Sequence, residues 1–288
     1  MKKPGLVLVG TPIGNLDDIS IRAVRELKTA DAICCEDTRR TGKLLSHLQC
    51  VPRPPLIVVN EHTEKQQCER IIEKIKNGER IVMVTDAGMP AISDPGEYII
   101  NQTTKADLTV EVIPGPSAGI TALVGSGISP RRYLFEGFLP RKGSARASRL
   151  DEISKSSHTI IIYESPRRLS KTLNDLVKCL GKDRRVVIAR ELTKLYEEYL
   201  RGSLGELAQT FALQDPKGEI VIVLEGEVKE NSMNVDEVLS DLRAAKKQGL
   251  STRDAVRQVA TDSGISRRKV YELYLSSTRK QVRQQTLR

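Results

Sequence analysis

Two apolar runs, each emptying into a loop of Gly, Pro and small polar residues, constrain this chain most. Ile81-Val82-Met83-Val84 runs into Thr85-Asp86-Ala87-Gly88-Met89-Pro90-Ala91-Ile92-Ser93-Asp94-Pro95-Gly96, and Leu108–Ile113 runs into Pro114-Gly115-Pro116-Ser117-Ala118-Gly119. Short, uninterrupted apolar runs read as strands buried on both faces of a parallel sheet. The segment Glu97–Thr103 between them reads as a short helix. Open parallel sheets bind ligands beyond the carboxyl ends of their strands. Gly88, Gly96, Gly115 and Gly119 let the backbone approach a ligand closely, while the prolines stiffen the loops. One such loop would pass for an ordinary turn; two in succession point to a ligand site.

The rest of the N-terminal half repeats the pattern. Leu6–Val9 is a strand followed by Gly10-Thr11-Pro12-Ile13-Gly14-Asn15-Leu16, which lacks the G-x-G-x-x-G spacing of dinucleotide sites. Ser20 is an N-cap for a helix to Lys28. Ala32–Cys35 is a strand ending in the polar loop Glu36-Asp37-Thr38-Arg39-Arg40-Thr41, either salt-bridged surface or part of a cleft. Leu56–Val59 is a third strand, and Glu64–Asn77 an amphipathic helix closed by Gly78. Strand and helix alternate, so the sheet is parallel.

The second half begins with a helix from Ala118 and the segment Tyr133–Phe138. Pro140–Arg149 reads as a mobile basic loop beside a helix start. Strand Thr159–Tyr163 ends in Glu164-Ser165-Pro166-Arg167-Arg168; helix Leu169–Cys179, strand Arg185–Ala189, helix Gly205–Gln214 and strand Glu219–Glu225 follow. A polar linker, Glu227–Asn234, leads to helices at Val235–Gln248, Thr252–Asp262 and Arg267–Ser276. Ser251 with Asp254 caps the second of these, Gly264 turns the chain, and Ser266 caps the third. The expected organisation is an α/β domain over 1–115, a second α/β domain over 116–230, and a small all-α, helix-turn-helix-like domain over 234–288.

Charge singles out that last segment. The chain carries a net +9, and Arg243–Arg288 alone holds twelve Lys or Arg against three Asp or Glu, so residues 1–242 are neutral overall. A clustered basic unit points to a polyanion, nucleic acid first. The five cysteines have no C-x-x-C spacing and the three histidines are scattered, which argues against a disulfide framework and against a metal site. No apolar run reaches the length of a membrane span, and the expectation is a cytoplasmic protein with an aliphatic core, since there is no Trp and there are only three Phe.

Five motifs together resemble one family: Val9–Leu16, Cys35-Glu36-Asp37-Thr38-Arg39, Thr85–Pro90, Ile113-Pro114-Gly115-Pro116-Ser117 and Tyr163-Glu164-Ser165-Pro166-Arg167. They resemble the tetrapyrrole (corrin/porphyrin) methylases and, within that superfamily, the bacterial enzymes that methylate a ribose 2′-hydroxyl of 16S rRNA. The resemblance spans roughly residues 5–226. It implies S-adenosylmethionine in a cleft between two α/β domains, a homodimer, and methylation of a decoding-centre cytidine within the 30S subunit. It carries cofactor contacts to Pro12, Thr85, Asp86, Met89, Ser117 and Ala118, and to Glu164, Ala189 and Leu192 in the second domain. The first loop departs from the G-x-G-x-G-D pattern of the tetrapyrrole enzymes.

Methyl transfer from a sulfonium is an in-line displacement that rewards positioning. A ribose hydroxyl also needs a proton acceptor beside it. Glu36 and Asp37, with Arg39, are the first candidates; Glu164, or a Lys194 whose pKa burial lowers, are others. Arg39 and Arg167 are suited to flanking phosphates, and Arg141, Lys142, Arg253, Arg267, Arg268 and Lys269 complete the expected RNA-binding set. Two other readings fit parts of the chain: a methylase of a small macrocycle, and a nucleic-acid-binding protein without catalysis.

Overall fold

The computed structural model describes residues 3–212, 216–227, 235–263 and 267–285. They fall into two units, Met1–Glu227 and Val228–Arg288. The first unit contains both sheets, so the two expected α/β domains share one compact body.

The first sheet comprises β1 (Gly5–Val9), β2 (Ala32–Cys35), β3 (Leu56–Val58), β4 (Arg80–Met83) and β5 (Val110–Ile113). Its order is β3-β2-β4-β1-β5 and every pairing is parallel. Alternate residues of β1 face opposite ways. Leu6 and Leu8 pack with Ile71, Ile75 and Ile99 from helices α3 (Glu64–Lys76) and α4 (Glu97–Lys105). Val7 and Val9 pack with Ala23, Leu27 and Leu45 from α1 (Ile21–Lys28) and α2 (Thr38–His47). Arg80, at the start of β4, is buried and satisfied by Glu26 at 2.7 Å and Glu111 at 2.6 Å.

Helix α2 falls where a polar loop was expected. Asp37 accepts from Arg39 N at 2.8 Å and caps it. Thr41, Leu44, Leu45 and Leu48 share the face turned to the sheet; Gly42 within the run and the dense charge before it hide that periodicity.

The second sheet, β6 (Tyr133–Phe138), β7 (Thr159–Glu164), β8 (Arg185–Arg190), β9 (Glu198–Ser203) and β10 (Ile220–Leu224), has the order β6-β7-β10-β8-β9. Only β6 and β7 are parallel; the other pairs are antiparallel. Strand β9 escapes sequence reading because, as an edge strand, it is only half-buried along most of its length. One face of the sheet carries α6 (Gly143–Ser154), α7 (Pro166–Leu180) and α8 (Leu204–Thr210). The expected mobile loop at Pro140–Arg149 is instead largely α6: Arg146 is buried against Asp175 and Thr172 and donates to the Pro140 carbonyl. The other face packs α5 (Ala118–Ser126) together with Ile13, Ala87 and Leu192, so the loops of the first sheet rest on the second.

The second unit contains α9 (Val235–Lys247), α10 (Thr252–Ser263) and α11 (Arg267–Gln285) around Val238, Leu242, Val256, Val259 and Val270. The Ser251–Asp254 cap is present, with Asp254 N donating to Ser251 Oγ at 3.1 Å. The Gly264 turn, the Ser266 cap and positions 228–234 of the expected linker lie outside the described residues.

Candidate active site

Three loops leave the carboxyl ends of β1, β4 and β5 side by side. A Cβ on Gly10 would stand 2.7 Å from the Gly115 Cα, and one on Gly115 would stand 2.8 Å from the Gly10 Cα. The first and third loops thus cross backbone to backbone, which only glycine permits. The first and second loops are stitched by Thr11 N to Gly88 O at 2.9 Å and Gly88 N to Thr11 O at 3.0 Å. Thr11 Oγ1 also donates to the Thr85 carbonyl at 3.3 Å. Further along the second loop, Ala91 and Ser93 hold left-handed backbone angles (φ 67° and 64°), a strained geometry that clusters at ligand sites. Glu64 secures the loop's exit by accepting from Gly96 N and Ile99 N, both at 3.1 Å.

Between these loops and the second sheet lies a cavity of about 410 Å³. Ile13, Asp86, Ala87, Gly88, Met89, Ile92, Ser93, Asp94, Ser117 and Ala118 line it from one side; Phe138, Tyr163–Pro166, Leu192 and Gly218–Val221 line it from the other. Tyr163 joins the two sides, its hydroxyl accepting from Gly119 N at 3.1 Å, with the rings of Phe135 and Phe138 edge-on to it.

Three of the carboxyls that line this space, those of Glu36, Asp86 and Asp94, feel one another's charge. Burial, then repulsion from Glu36 and Asp86, pushes the Asp94 carboxyl up to about 7. Burial, then Asp86, raises Glu36; burial also raises Asp86, against the pull of Arg40. Arg40 Nη1 lies 3.4 Å from Asp86 Oδ2, whereas Asp86 Oδ1 is buried and has no hydrogen-bond partner among the described residues. A buried acceptor without a partner costs about 1–3 kcal/mol, so this oxygen is set to receive a donor.

Of the residues expected at the cofactor, Asp86, Met89, Ser117, Ala118, Glu164 and Leu192 line the cavity. Pro12, Thr85 and Ala189 do not; Thr85 Oγ1 donates to the Ala87 carbonyl at 3.0 Å and shapes the loop, and Ala189 sits in the packed layer behind the cavity. Both Glu164 oxygens are engaged, by Ser165 N at 2.8 Å, Thr172 Oγ1 at 2.6 Å and Arg168 Nε at 3.2 Å, so its side chain braces the start of α7.

Of the expected catalytic trio, Glu36 alone faces the cavity. Asp37 turns away, and its bonds from Arg39 hold it well below the usual carboxylate range. The lowering that would have made Lys194 a candidate base does not occur. Burial pulls its pKa down, but hydrogen bonds to Glu191 (2.9 Å) and Glu219 (3.1 Å) outweigh it and raise the ammonium, which rules it out as a base at neutral pH. Arg141, Lys142 and Arg167 are exposed around the starts of α6 and α7. Arg253, Arg267, Arg268 and Lys269 are exposed on the helical unit, Arg268 paired with Glu272 at 3.1 Å. Sequence reasoning overlooked Asp94, Tyr163 and Arg40, though Asp94 stands in the very loop that attracted attention.

Two five-stranded sheets thus enclose a cavity where the loops of one meet the face of the other, the architecture of a two-layered α/β ligand-binding body. The chain belongs to the tetrapyrrole (corrin/porphyrin) methylase family, whose model matches residues 5–208. Its relatives narrow the class. It is 41% identical over 272 residues to the ribosomal RNA small subunit methyltransferase I of Synechocystis sp., a match covering 94% of this chain and 97% of that protein. It is 42% identical over 281 residues to the same-named protein of Halalkalibacterium halodurans, covering 94% and 95%. The namesake from Thermotoga maritima is 43% identical over 221 residues, 77% of this chain but 98% of that protein. Solved structures agree on the fold: a diphthine synthase (TM-score 0.60, 14% identity, 76% of this chain and 89% of that one) and a Thermus thermophilus uroporphyrin-III C-methyltransferase complexed with S-adenosyl homocysteine (TM-score 0.53, 16%, 76% and 96%). Among the described residues no helix is long and apolar enough to cross a membrane, and no group of His, Cys, Asp or Glu could hold a metal ion.

Proposed function

We propose that the cavity binds S-adenosylmethionine and that the protein methylates 16S rRNA on the ribose 2′-hydroxyl of a decoding-centre cytidine, presented within the 30S subunit. The residues fit the cofactor. Asp86 Oδ1 awaits a donor, as an amine or hydroxyl of the ligand would provide. Three crowded carboxyls favour a cation, and the apolar side chains of Ile13, Met89, Ile92, Leu192 and Val221 suit the nucleoside. When bound, S-adenosylmethionine supplies a methyl group on a positively charged sulfur that leaves as a neutral thioether. The chain's own residues hold the acceptor and take its proton: Glu36 faces the cavity and is held above the ordinary carboxylate value by burial, closer to neutrality where a base works best.

The helical unit is read as an RNA-binding accessory, since residues 234–288 hold twelve Lys or Arg against six Asp or Glu, most of the chain's net +9, and the Thermotoga maritima relative is covered almost entirely by a match to 77% of this chain. Exposed Ile120 and Val124 on α5 and Leu195 and Tyr196 before β9 favour a homodimer, which sedimentation velocity would detect. A substrate within the small ribosomal subunit implies work in the cytoplasm.

The observation that carries the reading is the unpartnered Asp86 oxygen in a cavity between the three joined loops and the second sheet. The test incubates the protein with methyl-labelled S-adenosylmethionine and 30S subunits, then locates a backbone bond newly resistant to alkali, as a blocked 2′-hydroxyl requires. By calorimetry, Asp86→Ala should weaken cofactor binding by about 1–3 kcal/mol without lowering Tm. Unchanged affinity would remove Asp86 from the site.

A further inference from the structure

Beside the cofactor cavity lies a second concavity, about 390 Å³, that neither the cofactor nor the proton transfer uses. Thr38, Arg39, Gly42, Lys43, Ser46 and Arg53 line it. Positions 39, 43 and 46 fall at helical spacings that place them on one stripe of α2. Arg53 comes from the segment after the helix, and its guanidinium covers Gly42 so closely that a Cβ there would collide with it. Glycine inside a helix costs roughly 1 kcal/mol relative to alanine. Here it gives the guanidinium its seat.

The charges in this hollow are unbalanced. Arg39 is committed to Asp37 through two hydrogen bonds, at 3.1 and 2.7 Å. Lys43 and Arg53 have no ion pair among the described residues, and no carboxylate lines the hollow. Two uncompensated cations, a seated guanidinium fork and the Thr38 hydroxyl match the needs of a phosphate group. Position matters as much as charge. Glu36 lines the cofactor cavity and Thr38 lines this hollow, and two residues of extended chain span only about 7 Å. The two sites thus lie about one nucleotide step apart, so a strand whose ribose enters the cavity has a neighbouring phosphate within reach of the hollow.

We propose that Lys43 and Arg53, with Gly42 as the seat, form a phosphodiester subsite that grips the RNA strand next to the acceptor nucleotide. The subsite positions the substrate and takes no part in the proton transfer. It rests on the reading of the protein as an RNA methyltransferase and adds where on the catalytic body the strand is held.

The test uses the full chain with purified 30S subunits and, separately, inorganic phosphate. Arg53→Gln should raise KM for 30S subunits about tenfold, as expected for one charge-assisted hydrogen bond, and leave kcat and the S-adenosylmethionine dissociation constant unchanged. The salt slope of RNA affinity should fall by about 0.7, because one fewer phosphate is neutralised. Gly42→Ala should weaken RNA binding in the same way by unseating Arg53, yet keep or raise Tm, because alanine is the better helix former. That combination separates a disabled subsite from a damaged fold. An unchanged KM and slope in Arg53→Gln, with the wild type active, would overturn the subsite alone; a wild type that methylates no RNA would overturn the underlying function instead. Saturation of the hollow by millimolar phosphate with RNA affinity indifferent to both variants would make it a free-anion site and refute the proposal.

Discussion

Replacing Asp94 by asparagine tests the electrostatic design of the cavity and its proposed use for S-adenosylmethionine. The Asp94 carboxyl is pushed up to about 7 by burial and by Glu36 and Asp86. Arg40 lies against Asp86, and the Tyr163 phenol is itself raised, by burial foremost and by Asp94 among other causes. In the free protein Asp94 is thus about one-tenth ionised at pH 6 and about nine-tenths at pH 8. A cation in the cavity favours the ionised form, so binding should draw off the proton and affinity should rise with pH. If the bound sulfonium returns Asp94 to its ordinary range, the dissociation constant should fall about tenfold between pH 6 and pH 8. Asp94→Asn should flatten that dependence. S-adenosylhomocysteine shares the amino acid and the nucleoside but has a neutral sulfur, so it reports whatever pH dependence comes from the rest of the ligand. Calorimetry of both ligands across this range reads the difference. The reasoning fails if the two ligands have the same profile on the wild type, or if the profile survives in the variant. The same shift carries a stability sign. An acid whose folded pKa is raised weakens the fold as pH climbs from the ordinary carboxylate range through about 7. The Asp94→Asn substitution should therefore stabilise at pH 8 and not at pH 4, by about 1–2 kcal/mol once solvent screening of this half-buried group is allowed for.

Three other perturbations probe separate links. Glu36→Gln should cost about 100- to 10,000-fold in single-turnover methylation if its carboxylate accepts the ribose proton, while cofactor affinity stays within a few-fold; near-normal turnover would leave alignment as the main source of rate. Gly115→Ala places a Cβ against the Gly10 backbone, 2.8 Å from its Cα, and overpacking of this kind costs about 1–3 kcal/mol. Urea unfolding with the same midpoint as wild type would refute the crossing as tight. A chain ending at Glu227 should still bind S-adenosylmethionine, because the cavity is built entirely within the first unit, but should bind RNA more weakly and with a shallower salt slope; loss of cofactor binding would count against the separation.

What could be read from residues alone was what is local. Apolar runs such as Ile81–Val84 must be buried, glycines and prolines after them must turn, and together these revealed most of the strands, their ligand-facing loops and the family resemblance. The charge count isolated the helical unit for the same reason: it needs no contacts. Side-chain partners were beyond reach, because they join distant positions. Glu36, Asp37 and Arg39 are neighbours in sequence, yet only Glu36 faces the cavity, since Asp37 is spent on capping α2 and holding Arg39. Lys194 looked like a base, but the fold bonds Glu191 and Glu219 to it. Asp94 stood in the sequence as one more polar residue of a Gly- and Pro-rich loop, but the fold half-buries it within reach of the charges of Glu36 and Asp86. Periodicity reports burial, which each residue signals for itself. The pKa of a carboxyl and the fate of an ion depend on which charges tertiary folding places beside them.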